Sequence, residues 1–158
     1  MIKLDRLDRK ILSCLQANGK ISNLELAEKV GLSPSPCARR VKQLEESGLL
    51  LKTVTLLNRD MLGLKLNALI QVSMDRHTPD RFETFEETLE ACPEVLSCTL
   101  ITGQSADYMV DVLVTDMEAY QAFLLGKLTR IPGVSGVHSS FVLRKIINRT
   151  EVPLDHLV

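Results

Sequence analysis

The stretch Ala27-Glu28-Lys29-Val30-Gly31-Leu32-Ser33-Pro34-Ser35-Pro36 leaves few local structures open to the chain around it. Glycine stops a helix readily, because it takes the left-handed conformation that most residues avoid. A Ser-Pro pair starts one: the serine caps, and proline lacks an N–H that the first turn would leave unpaired anyway. Either Ser33-Pro34 or Ser35-Pro36 can open the helix, and the second pair is the expected start. Upstream, Ser22-Asn23-Leu24-Glu25 is spaced as a capping box. It places Leu26, Ala27 and Val30 on the buried face of a helix that ends at Gly31. A first helix, capped by Asp5, carries Leu4, Leu7, Ile11, Leu12 and Leu15 at helical spacing until Asn18-Gly19. Cys37, Val41 and Leu44 form the stripe of the third, which Gly48 ends.

Two helices meeting at a glycine turn, with small Ala27 at their crossing, have the form of a helix-turn-helix. If Cys37, Val41 and Leu44 pack inward, Ser35, Pro36, Arg39, Arg40 and Gln43 point outward, with Lys42 on the flank and Ser33 at the start. Serine and arginine at the front of such a helix suit phosphate oxygens and base edges in the major groove of double-stranded DNA. The helix N-terminus adds partial positive charge. No acid interrupts 31–44, and residues 1–50 hold nine Lys/Arg against six Asp/Glu, a balance of +3. Residues 51–158 hold ten against fourteen, or −4. An Arg-Arg pair is more often a solvated helix face; the turn glycine, the Ser-Pro pairs and the missing acids favour the nucleic-acid reading.

The remaining chain changes period. Leu49 to Leu57 has a β-branched middle and reads as a connecting strand, and Asn58–Gly63 holds turn residues. The boundary is placed there, giving residues 1–60 as one domain and 61–158 as the other. Ala68, Ile70, Val72 and Met74 alternate along a strand. Thr78-Pro79-Asp80 opens a helix with Phe82, Phe85 and Leu89 inward, closed by Pro93. Strands follow at Val95–Thr102 and Tyr108–Val114, joined by the turn Gly103-Gln104-Ser105-Ala106. Thr115-Asp116-Met117-Glu118 is spaced as a second capping box. Its helix turns Tyr120, Phe123, Leu124 and Leu128 inward and breaks at Ile131-Pro132-Gly133. The last strand is expected at Val137–Ile146. The order βαββαβ is the ferredoxin-like arrangement. A shift of 39 residues superposes Phe85 on Leu124, Leu89 on Leu128, Pro93 on Pro132 and Val95 on Val134, so each half is one βαβ unit.

Four cysteines could suggest a disulfide or metal framework. Cys14, Cys37, Cys92 and Cys98 make no C-x-x-C, and His77, His138 and His156 are scattered, so buried free thiols are expected and no metal or cofactor. No phosphate loop or nucleophile motif stands out, which argues against an enzyme. No apolar run reaches the length of a membrane span, and Met1 to Arg6 turns charged at once, which together favour a cytoplasmic protein without a membrane partner.

Leu4-Asp5-Arg6-Leu7-Asp8-Arg9-Lys10-Ile11-Leu12, Ile21-Ser22-Asn23-Leu24-Glu25-Leu26, Val30 through Cys37 and Val41-Lys42-Gln43-Leu44-Glu45 closely resemble the Lrp/AsnC (feast/famine) transcriptional regulators. The Gly-x-x-x-Asp-Tyr turn and the Ile-Pro-Gly-Val segment extend the resemblance over nearly the whole chain. It implies an α+β protein: a winged helix-turn-helix of three helices, then a βαββαβ domain for ligand sensing and oligomerisation. It also implies dimers that commonly assemble into octamers and wrap or bend DNA. Dimers whose open sheet faces pack together would present two recognition helices to a pseudo-palindromic operator.

The resemblance further implies an amino-acid effector held between dimers. One side is the turn carrying Leu100, Ile101, Thr102, Gly103, Asp107 and Tyr108; the other is a neighbour's Ile131, Pro132, Gly133 and Val134. Positions tied to leucine response in this family map to Leu100, Asp107, Met117, Ser140, Phe141 and Val142, with Ser140 standing where an aromatic residue is usual. A free amino acid needs a carboxylate for its ammonium and backbone amides for its carboxylate, which Asp107 and the Gly103 loop can offer. Leu100, Ile101, Met117 and Val134 are apolar, which favours leucine or methionine over a charged effector. The lesser alternative is that Asp107 only caps its own turn. A ligand-independent architectural protein that wraps DNA broadly is the competing reading.

Overall fold

The computed structural model describes residues 3–103 and 106–156. Two compact units form: the chain up to Leu56 together with Ile146 onward, and Leu57–Lys145.

The first unit is built on three helices, α1 (Arg6–Ala17), α2 (Asn23–Val30) and α3 (Pro34–Glu46). Asp5 caps α1 by accepting from the Leu7 and Asp8 amides, and the Asp8 side chain accepts from the Asp5 amide, closing a capping box. Ser22 and Glu25 form the expected box on α2. Gly31 ends α2 at φ +79°, a conformation costly for a residue with a Cβ. Ile11, Leu12, Leu26, Ala27, Val30, Cys37 and Leu44 make the buried core.

Three expectations are corrected here. α3 begins one Ser-Pro pair earlier, with Ser33 at the N-cap and Pro34 in the first turn. Both pairs satisfy the same local rule; at the earlier one the Pro34 carbonyl also accepts from the Asn23 side-chain amide at 3.0 Å. Residues 51–57 form no strand, and Leu51, Val54, Leu56 and Leu57 are exposed. A β-prone segment becomes a strand only when another edge accepts its hydrogen bonds, and among the described residues none does. The tail from Ile146 belongs with the helices, not with the sheet. Val152 exchanges two hydrogen bonds with the Gln16 side chain at 3.0 and 3.1 Å, and Leu154 packs on the helical core.

The second unit is a four-stranded antiparallel sheet in the order β2-β3-β1-β4, with β1 (Leu66–Met74), β2 (Val95–Leu100), β3 (Tyr108–Val114) and β4 (Val134–Phe141). Helices α4 (Pro79–Glu90) and α5 (Met117–Gly126) supply Phe85, Leu89, Tyr120 and Phe123 to the core. They pack with Ala68, Ile70 and Val72 of β1 and Tyr108, Val110 and Val112 of β3. Alternation along β1 is as the sequence expects. The other face carries Asn67, Leu69 and Gln71 opposite Leu113, Asp111 and Met109. The Asn67 side chain donates to the Asp111 carboxylate, giving that strand acid a partner.

The expected bounds need adjustment at three elements. β4 runs over Val134–Phe141 and not Val137–Ile146: it pairs with β1 from Met74 to Ala68, and Leu143 beyond it is almost fully exposed. β2 stops at Leu100, and α5 is capped by Asp116, whose carboxylate accepts from the Ala119 amide, in place of Thr115. Leu128 is buried but lies in a short 3-10 turn, Leu128–Arg130, after the helix. Cys37 and Cys92 are buried as expected, but Cys14 is only half-buried and Cys98 is exposed on the edge strand β2.

Candidate nucleic-acid interface and effector site

On α3, Cys37 and Leu44 are buried and Val41 packs against the same core. That orientation leaves Ser35, Arg39, Lys42 and Gln43 exposed along successive turns, with Ser33 exposed at the start and Pro36 half-buried. Ser33 makes no side-chain capping bond, so its hydroxyl is not committed to the helix start. Lys42 approaches Glu46 at 3.7 Å with both side chains mostly exposed, which holds it weakly.

Arg40 departs from the outward position expected of it. Its Nη1 donates to Asp5 Oδ2 at 2.6 Å and to Asp8 Oδ1 at 2.7 Å, tying α3 to the capping box of α1. Hydrogen bonds to Asp8 and then Asp5 raise the guanidinium pKa further above its ordinary value. α3 therefore presents one arginine, Arg39, where the sequence suggested two.

In the second unit, antiparallel pairing carries the Asp107 turn and the Pro132-Gly133 turn to one end of the sheet. Val72 pairs with Tyr108 on one side of β1, and Met74 pairs with Val134 on the other. Asp107 Oδ2 accepts from the Met74 amide at 2.7 Å, and its Oδ1 lies 2.8 Å from His77 Nε2. Its backbone is also engaged, the amide donating to the Val72 carbonyl and the carbonyl accepting from Ile101. Tyr108 is buried under α4 with its hydroxyl donating to Glu86 at 2.6 Å. Burial first, then that bond, pushes the phenol pKa up.

Across β1, the Gly133 carbonyl accepts from the Asp75 amide at 2.7 Å. Gly133 has φ +98°, and a Cβ there would meet Arg81 Cδ and Met74 Cε at 3.0 Å. Ile131 is buried, Pro132 exposed and Val134 half-buried. Leu100, Thr102 and Gly103 are exposed and Ile101 half-buried, while the Gln104-Ser105 part of the turn lies outside the described residues.

The other expected effector residues sit elsewhere. Met117 opens α5 just beyond Val114, which pairs with Leu66, and Ser140 and Phe141 pair with Leu69 and Ala68. That is the opposite end of the sheet from Asp107, so one chain does not gather the whole expected set. His77 was not expected in the site. It is far from Asp107 in sequence, and only the β1–β3 register brings the two together.

A helix-turn-helix unit and a separate antiparallel α+β unit define this chain as a DNA-binding transcriptional regulator with a ligand-binding domain. Residues 4–50 match the winged helix-turn-helix DNA-binding family, and residues 67–152 match the Lrp/AsnC ligand binding domain. The chain belongs to the Lrp/AsnC family, whose members are transcriptional regulators and not enzymes. It is 43% identical to the Bkd operon transcriptional regulator of Pseudomonas aeruginosa over 98% of this chain and 100% of that one. The leucine-responsive regulatory protein of Escherichia coli is 39% identical over 90% of this chain and 87% of that one. Among solved structures, a transcriptional regulator from Neisseria meningitidis in complex with L-methionine has 45% identity and a TM-score of 0.94, covering 98% of this chain and 99% of that one. Among the described residues, no helix is long and apolar enough to cross a membrane.

Proposed function

We propose that this regulator binds a pseudo-palindromic operator through the exposed face of α3, and that methionine or leucine modulates that binding. The observation that carries the effector reading is the pair of turns flanking β1, with the Asp107 carboxylate at one and Gly133 at the other. A carboxylate beside backbone amides answers the two charged ends of a free amino acid. The likeness to a regulator solved with L-methionine supports methionine, and the likeness to leucine-responsive proteins supports leucine.

In the proposed assembly, dimers form through the open sheet face and go on to octamers, setting α3 helices at intervals along wrapped DNA. The regulated genes belong to amino-acid metabolism in this reading.

Thermal unfolding against the twenty free amino acids tests the effector. A ligand that binds only the folded state adds RT ln(1 + [L]/Kd), about 2.7 kcal/mol at a hundred times Kd. A selective rise with methionine or leucine is expected. No rise with any of the twenty would overturn the sensing reading and favour the architectural one.

A further inference from the structure

A second surface of the helical unit is strongly cationic, and no residue of α3 lines it. It is an open groove of about 500 Å³ along α1, with Arg6, Arg9, Lys10 and Lys29 against a single acid, Asp155. Arg6, Lys10 and Lys29 are exposed. Arg6, Arg9, Lys10 and Ser13 recur every three or four residues, so they follow one flank of the helix. Asp5 and Asp8 lie on the adjoining flank, where they hold Arg40. The backbone on which the acid stands is anchored nearby. Asp155 follows Leu154, which packs on the helical core, and Val152, which is bound to Gln16.

The form of the groove selects among anions. A lone phosphate or carboxylate calls for donors converging on one point, whereas these cations follow α1 at Arg6, Arg9 and Lys10 and continue onto α2 at Lys29. From Arg6 to Lys10 the helix advances about 6 Å at its usual rise. DNA carries a phosphate on each strand about every 3.4 Å of duplex axis, a dense line of negative charge for such a row to face.

We propose that this groove is a second, sequence-independent DNA contact, taking the phosphate backbone of a double-stranded segment apart from the one engaged by α3. Its contribution is uniform across sequences, because phosphates carry no base information. It adds affinity and salt dependence, and it gives each helical unit a second point at which to hold a duplex.

The test measures full-chain protein on a mixed-sequence duplex over a series of salt concentrations. The Lys10→Gln/Lys29→Gln variant is compared with Lys65→Gln/Arg144→Gln, which removes equal charge at exposed positions outside the groove. Each lost phosphate contact lowers the slope of log K against log[salt] by about 0.9. The groove variant should lose close to two such steps and bind at least tenfold more weakly at low salt, while the control keeps its slope. Asp155→Asn should shift affinity the opposite way. An unchanged slope in the groove variant, or an equal change in the control, overturns the proposal. Melting curves accompany each variant; should the double variant melt early, Arg6→Gln carries the same test with a single step in slope.

Discussion

Arg40 and Asp8 are joined across α3 and α1 at 2.7 Å, and the same guanidinium nitrogen reaches Asp5 at 2.6 Å. Adjacent arginines on one helix therefore do different work. Arg40 spends its charge on the α1 cap, while Arg39 stays exposed. Arg39→Ala should weaken operator binding by about 1–3 kcal/mol, the range of a side chain that reads a base, with no change in melting. Arg40→Ala should destabilise the helical unit by about 1 kcal/mol and weaken DNA binding only as far as α3 is loosened. Paired melting and binding curves for the two variants separate these roles. Equal binding losses with no stability loss in Arg40→Ala would return it to the DNA surface.

The cap also sets a dependence on acid. The Asp8 amide, the Arg40 guanidinium and the Leu7 amide together hold the Asp5 carboxyl below its ordinary 3.8, against a smaller opposing effect of burial. A carboxyl with a depressed folded pKa contributes stability above its unfolded value and loses it as pH falls through the folded one. The difference in stability between wild type and Asp5→Asn should therefore hold constant at neutral pH and shrink below about pH 3.8. Urea melts across that range check it; a gap that widened on acidification would contradict the ion-pair account.

Much of this architecture is legible from local chemistry. The cap at Asp5 and the capping box at Ser22 set helix starts, and alternation from Ala68 to Met74 sets the buried side of β1. The internal repeat is a better guide than periodicity for β4: it sets Val134 equivalent to Val95, and each opens a strand. Sequence failed where the answer depended on a distant partner. The α3 stripe shows which residues turn from the core, but not that α1 offers two carboxylates to one of them. Leu49–Leu57 has strand propensity, and among the described residues no edge pairs with it. His77 meets Asp107 only through a ladder formed by other residues.

Asp107 has two jobs that substitution can separate. One oxygen accepts from the Met74 amide and the other faces His77. Asp107→Ala should lose both and cost about 1–3 kcal/mol, because a part-buried amide is left without its acceptor. Asp107→Asn keeps an acceptor for Met74 while removing the charge an effector ammonium would need. It should melt close to wild type yet lose the shift induced by methionine or leucine. An undiminished ligand-induced shift in Asp107→Asn would place the ammonium on another group.

Gly133 connects the other turn to β1 through its carbonyl and holds φ at +98°. Gly133→Ala adds left-handed strain of about 1–2 kcal/mol. The new methyl would also press on Arg81 and Met74 at 3.0 Å. The melting temperature should fall without ligand, and effector affinity should fall with it, since the strained turn borders the proposed site. Retained stability would mean the turn relaxes freely and is not held by Asp75.

Leu69 tests the proposed dimer. It lies at the centre of β1 on the face opposite the helices, paired with Asp111 on β3 and Ser140 on β4, and is 36% exposed. A second sheet packed there would bury it against apolar neighbours such as Met109 and Leu113, which share that face. Leu69→Glu leaves the single chain's core untouched but places an unpaired charge where two sheets would meet, a costly burial. The dimer dissociation constant should rise at least tenfold, about 1.4 kcal/mol of weakening, read as a fall in mass by light scattering on dilution. Operator affinity should drop in parallel, because two half-sites would no longer be held by one particle. An assembly whose mass is unaffected by Leu69→Glu would mean that the sheets do not meet through this face.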